Sequence, residues 1–182
     1  LHPIRSAYFE YQREKMEEGF GVADLDDQLL KACKALASHG IEYHFLDETL
    51  LEKYGFVNGM QIGCGQCTYD YLVLPPMLTM DRTTEKLLRT YVENGGRVLL
   101  LGNKPTFREA EEYAYTYLES NVTLEEICDA QPYQVKNFET EIYSTYRRFE
   151  GKEFLYVMNS SAENTYTQSF GGGTAASFVK VD

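Results

Sequence analysis

Between Asp24 and Gly40 apolar side chains recur at Leu25, Leu29, Ala32, Cys33, Leu36 and Ala37, which is the spacing of one face of a helix. Asp24 or Asp26 can cap its first turn and Gly40 can end it, so the pattern predicts an amphipathic helix. Ile41, Tyr43 and Phe45 then alternate with Glu42 and His44, the period of a strand, before a loop at Leu46–Asp47. Residues 49–54 read as one or two helical turns. Met60–Ile62 and Thr68–Tyr69 flank Gly63–Cys64–Gly65–Gln66, a Gly-rich stretch that predicts a small hairpin.

Tyr71–Leu72–Val73–Leu74 is continuously apolar and is closed by Pro75–Pro76, as a strand buried on both faces would be. Residues 83–94 place Leu87, Leu88, Tyr91 and Val92 on one helical face, Asn94–Gly95–Gly96 supplies the stop, and Arg97–Gly102 reads as the next buried strand. This order of helices and strands predicts a doubly wound, mainly parallel α/β sheet.

After Pro105 the texture changes. Residues 107–119 are read as one more helix, and Thr123–Ile127 as a short capped turn. Five short segments then carry β character: Tyr133–Phe138, Glu141–Phe149, Glu153–Met158, Thr165–Phe170 and Ser177–Val181, with a break at Gly171–Gly172–Gly173.

Composition narrows the function classes. The 182 residues carry 28 acidic and 17 basic side chains, a formal net charge of −11, and no tryptophan. Phosphate binding needs Lys and Arg gathered on one face, so neither a nucleic acid nor an anionic membrane surface is an expected partner. The apolar runs are far shorter than the roughly 20 residues of a membrane span. Leu1–His2–Pro3–Ile4 has neither the basic start nor the apolar stretch of a signal peptide. We read the chain as a piece of a longer protein and favour a cytoplasmic over a secreted setting, with the compartment itself left open.

Asp70–Tyr71–Leu72–Val73–Leu74–Pro75–Pro76, followed by Tyr91–Val92–Glu93–Asn94–Gly95–Gly96–Arg97–Val98–Leu99–Leu100–Leu101–Gly102, resembles the glutamine-amidotransferase-like module of large multidomain glycoside hydrolases, the β-galactosidase-like and α-L-rhamnosidase-like enzymes. The resemblance extends through His2–Pro3–Ile4–Arg5–Ser6, through Gly40–Ile41–Glu42–Tyr43–His44–Phe45–Leu46–Asp47–Glu48, and through Phe154–Leu155–Tyr156–Val157–Met158–Asn159–Ser160. It implies a flavodoxin-like or amidotransferase-like domain over residues 20–130, a leader from a preceding domain over 1–19, and a β-rich segment over 131–182 that partly completes the sheet and partly opens a following domain. It also implies a non-catalytic accessory or assembly role, with the sugar-cleaving carboxylates in another domain.

By the resemblance, the nucleophile turn of an amidotransferase falls at Leu101–Gly102–Asn103, which has no cysteine, and His2, His39 and His44 all precede it. Cys64–Gly65–Gln66–Cys67 has the spacing of a zinc knuckle or redox pair but lacks a second ligand pair, so two free thiols are the main reading, with a labile disulfide or adventitious metal as alternatives. Asp24, Asp26 and Asp27 are read as helix caps. Tyr113, Tyr115 and Tyr117, placed on the expected helix, would not form a single platform. Asp47 and Glu48, together with Pro76 and Asn103, lie at the carboxyl ends of the expected strands, where open α/β sheets hold ligands. These four are the candidate contacts to a ligand or a neighbouring domain. No catalytic residue, metal or cofactor is expected; the partners considered are neighbouring domains of the parent chain, a second copy, and a carbohydrate. The rival function is a small-molecule or sugar-binding domain using those strand ends.

Overall fold

The computed structural model describes residues 1–14, 21–136, 142–159 and 177–180. They form two compact units, one of residues 1–32 and 44–123, the other of residues 33–43 and 124–182. The architecture mixes helices with small sheets, both parallel and antiparallel.

In the first unit, α1 (Ile4–Glu14) and α2 (Val22–Ser38, which runs on into the second unit) precede α3 (Glu48–Tyr54). The predicted helix over 24–40 is thus present, and the chain leaves it at Gly40 with a positive φ of 66°. The hairpin is present too. Strands β1 (Gly55–Asn58), β2 (Gln61–Cys64) and β3 (Cys67–Tyr69) form an antiparallel sheet. Strand β4 (Tyr71–Leu74) pairs in parallel with β6 (Arg97–Leu100), Leu72 opposite Val98, and α4 (Arg82–Glu93) is the crossover between them. Leu72, Leu74, Leu88, Tyr91 and Val98 are buried together in the core.

Tyr91 ties the crossover to the sheet. Its hydroxyl lies between the carbonyls of Asp70 (3.1 Å) and Arg97 (3.0 Å) and accepts the Arg97 N–H at 2.9 Å, so one buried ring anchors α4 to the entry of both strands. Gly96 is required beneath it, since a Cβ there would stand 2.4 Å from the Tyr91 ring.

The parallel pair is not extended into a doubly wound sheet among the described residues, and the backbone bonds show why. On the far side of β6, Val98 N–H donates to the Asn121 side chain (2.7 Å), Leu100 N–H donates to Ser120 Oγ (2.9 Å), and the Val98 carbonyl accepts Asn121 N–H (3.0 Å). On the far side of β4, the Val73 carbonyl accepts the Leu1 nitrogen at 2.7 Å. The outer edge of β6 is therefore closed by residues 120–121, and that of β4 meets the Leu1 nitrogen at Val73, each without another full strand. Residues 41–45, expected as a strand, are not one: Leu46 instead gives its carbonyl to His2 N–H at 2.9 Å, and Tyr43 and Phe45 are exposed, so the alternation buries no face.

The expected helix over 107–119 is also replaced. Strand β5 (Thr79–Met80) pairs in parallel with β7 (Phe107–Arg108), which turns through Glu109 (φ 58°) into β8 (Glu111–Glu112). Beyond it Tyr113, Tyr115 and Tyr117 form a row of rings with successive centroids 4.8 and 6.3 Å apart. Their i, i+2, i+4 spacing does bring them together, because the backbone is not helical. Arg89 bonds Glu85 Oε1 (2.7 Å) and the Tyr113 hydroxyl (2.6 Å) and lies 4.3 Å over the Tyr117 ring, so the row is a satisfied part of the packing around α4.

In the second unit, α5 (Leu124–Asp129) stands where a capped turn was expected. Strand β9 (Tyr133–Lys136) pairs with β12 (Ser177–Lys180), and β10 (Ile142–Phe149) with β11 (Lys152–Asn159), both antiparallel. Four of the five β segments are thereby present; residues 165–170 and the glycines at 171–173 lie outside the described residues. Buried Tyr133 donates its hydroxyl to the Gly40 carbonyl (3.1 Å) and accepts from Ser144 (3.1 Å).

Candidate functional site

In the first unit, beyond the carboxyl end of β5 and at the N-terminus of α4, an open cleft of about 490 Å³ is lined by α1 (Arg5, Tyr8, Phe9, Gln12), by Glu52 of α3, by Thr79, Asp81, Arg82 and Thr83, and by the Glu109–Ala110 turn. Ser6 fastens α1 to this end of the sheet. Its Oγ accepts N–H groups from Leu78 (2.9 Å) and Thr79 (3.1 Å) and donates to the Thr79 carbonyl (3.1 Å).

Four of the five charged side chains that line the cleft are held in ion pairs. Arg5 Nε stands 3.2 Å from Asp81, and Arg82 reaches Glu109 at 2.9 Å and Glu111 at 2.8 Å. Burial raises the Asp81 carboxyl above its usual range, an effect that Arg5 opposes. Two guanidinium groups face three carboxylates, those of Glu52, Asp81 and Glu109. An anion gains little there. A neutral ligand rich in hydroxyl groups fits better, because Arg5, Asp81, Arg82 and Glu109 are already oriented by their ion pairs.

Beside this cluster, and not among its lining residues, Glu48 is 1% exposed. Its Oε2 accepts the Asp81 N–H at 2.7 Å, while Oε1 and the buried Thr84 Oγ1 make no hydrogen bond. Burial pushes the Glu48 carboxyl up to about 7, helped by the negative charge of Asp81. That value would suit a general acid, but a sealed carboxyl cannot touch a substrate. Glu48 acts by holding the first turn of α4 in place.

The four candidates from the sequence therefore separate. Asp47 is the N-cap of α3: its Oδ1 accepts Thr49 N–H at 2.8 Å, and the Thr49 hydroxyl first and that N–H second lower its carboxyl below the usual range. Glu48 supports the cleft from within. Pro76 packs against Gly102, and Asn103 is exposed; neither lines the cleft. Sequence reasoning missed Arg5, Asp81 and Arg82. Asp81 carried a usable signal, an Asp directly before the periodic run of α4 in the position of a helix cap.

No group of three or more His, Cys, Asp and Glu side chains with metal-binding geometry occurs among the described residues, and no helix among them is long and apolar enough to cross a membrane. No family model matches the chain, and no curated protein or solved structure matches it either.

Proposed function

We propose that this chain is a non-catalytic accessory and assembly domain of a carbohydrate-active glycoside hydrolase, with the parallel β4–α4–β6 unit as the part of a flavodoxin-like or amidotransferase-like fold that it retains. The observation that carries the assembly role is β11. Phe154, Leu155, Tyr156, Val157 and Met158 are consecutive, and all are at least 40% exposed, with Tyr156 at 63%. Successive residues of a strand point to opposite faces, so both faces of β11 present apolar side chains to water. Its only sheet neighbour among the described residues is β10. A two-stranded ribbon with an open apolar edge is poorly stable alone and is suited to pairing with another chain or domain. The hydrolase assignment rests on the sequence resemblance. The gene that encodes the chain tests it: a barrel with two catalytic carboxylates encoded immediately upstream is the expected finding, and an unrelated neighbour overturns the assignment.

The cleft favours a second reading, direct sugar binding, because exposed Tyr8 offers a ring face beside ion-paired donors and acceptors. Calorimetry with a panel of neutral sugars tests it. Binding that is lost in Tyr8→Ala supports this reading, and no binding across the panel removes it.

A further inference from the structure

We propose that Cys64 and Cys67 form a dithiol site at the tip of the β2–β3 hairpin that closes to an intramolecular disulfide by exchange with a small-molecule disulfide. The first observation is register. Cys64 stands directly opposite Cys67 as the last pair of the ladder, joined by the two-residue turn Gly65–Gln66. Directly opposed residues of an antiparallel pair project to the same face with Cα atoms about 4.5–5.5 Å apart, inside the span a disulfide bridges.

The second observation is that the turn can give. A disulfide needs its Cβ atoms about 3.5–4.5 Å apart, slightly closer than a typical cross-strand pair, so the tip must tighten by a fraction of an ångström. Gly65 sits at φ 62°, where even a Cβ would meet nothing within 4 Å; its N–H is held by the Tyr54 carbonyl at 3.0 Å, so the tightening falls to the Gln66–Cys67 side of the turn. Burial raises the Cys64 thiol above its usual range, and the neighbouring Cys67 raises it further.

The third observation is access. Cys67 is exposed and Cys64 only partly so, and both thiols are free. Cys67 is the entry point. Its thiolate attacks one sulfur of a disulfide R–S–S–R, forming a Cys67–S–S–R mixed disulfide and expelling R–S⁻. The Cys64 thiolate then attacks the Cys67 sulfur, forming the Cys64–Cys67 bond and expelling the second R–S⁻. The two thiol protons end on the two R–S⁻ groups, so one R–S–S–R is reduced to two R–SH while the dithiol is oxidised. A ring closed over so few residues removes little chain entropy, so the bond should be easily reduced again.

The test titrates the chain with mixtures of oxidised and reduced glutathione and reads the intact mass and the cleaved peptides. The expected product is a loss of two hydrogens located to residues 64–67, retained when Cys33 and Cys128 are both changed to Ser. Cys64→Ser should stop at a glutathione adduct on Cys67. A stable glutathione adduct on Cys67 of the unaltered chain, a Cys67-linked dimer, or no reaction at either thiol would each overturn the proposal.

Discussion

The N–H of Asp81 donates at 2.7 Å to a carboxylate almost sealed from water, that of Glu48, whose other oxygen has no hydrogen-bond partner. Residues of α3 and of the α4 N-terminus, 33 positions apart, are thus joined by a side chain that is costly to ionise.

That cost has a direction in pH. The folded carboxyl is raised from 4.5 to about 7, so the native state holds a proton there that the unfolded chain releases. The stability this group contributes is fully present below about pH 4.5 and is lost as pH rises through about 7, at most about 3 kcal/mol by proton linkage. Asp81, also raised, works in the same sense, and Arg5 opposes both. Urea unfolding of the chain and of Glu48→Gln at pH 4.5, 6 and 8 checks this. The amide still offers an oxygen to Asp81 N–H, and the variant should gain relative stability at pH 8. Parallel curves would refute the account.

Tyr91→Phe keeps the ring and removes the hydroxyl that meets Asp70, Arg97 carbonyl and Arg97 N–H. Leaving such buried groups unpaired costs about 1–3 kcal/mol. Gly96→Ala attacks the same contact from below and should cost a similar amount through overpacking. Thermal unfolding of both variants reads the effect. Unchanged midpoints would show that α4 is held by apolar burial alone.

Asn121→Ala should expose how the edge of β6 is closed. The side chain accepts from Val98 N–H and donates to the Gly96 carbonyl at 2.8 Å, and alanine leaves both without that partner. A loss of about 1–3 kcal/mol is expected, together with faster amide exchange at Val98. Unaltered exchange at Val98 would mean that another group closes this edge.

Where burial and period agreed, the sequence was legible: α2, the β2–β3 hairpin, β4, α4 and β6 all follow from apolar spacing and from the Gly and Pro residues between them. The failures have physical causes. Residues 41–45 alternate like a strand, yet no strand pairs with them among the described residues and Ile41 N–H turns back to the Leu36 carbonyl at 3.0 Å; local period carries no information about whether a partner strand exists. Residues 107–119 carry two competing periods: Phe107, Ala110, Ala114 and Leu118 have helical spacing, while Tyr113, Tyr115 and Tyr117 alternate, and the pairing of β7 with β5, which no local period reveals, decided against the helix. Of the site, Glu48 was legible by position and not by role. The cleft was not legible, because it joins Arg5 to Asp81, residues whose proximity depends on where α1 docks.

The central claim is that β11 is an assembly surface. Light scattering over a rising concentration series, alongside hydrogen exchange, tests it most directly, with Leu155→Ser/Val157→Ser as the comparison. The account predicts a mass that grows beyond one chain in the unaltered protein and stays at one chain in the double variant, with protection of the Lys152–Asn159 amides that do not face β10 rising on association. A single-chain mass at every concentration, with strong protection across Lys152–Asn159 already in place, would contradict it.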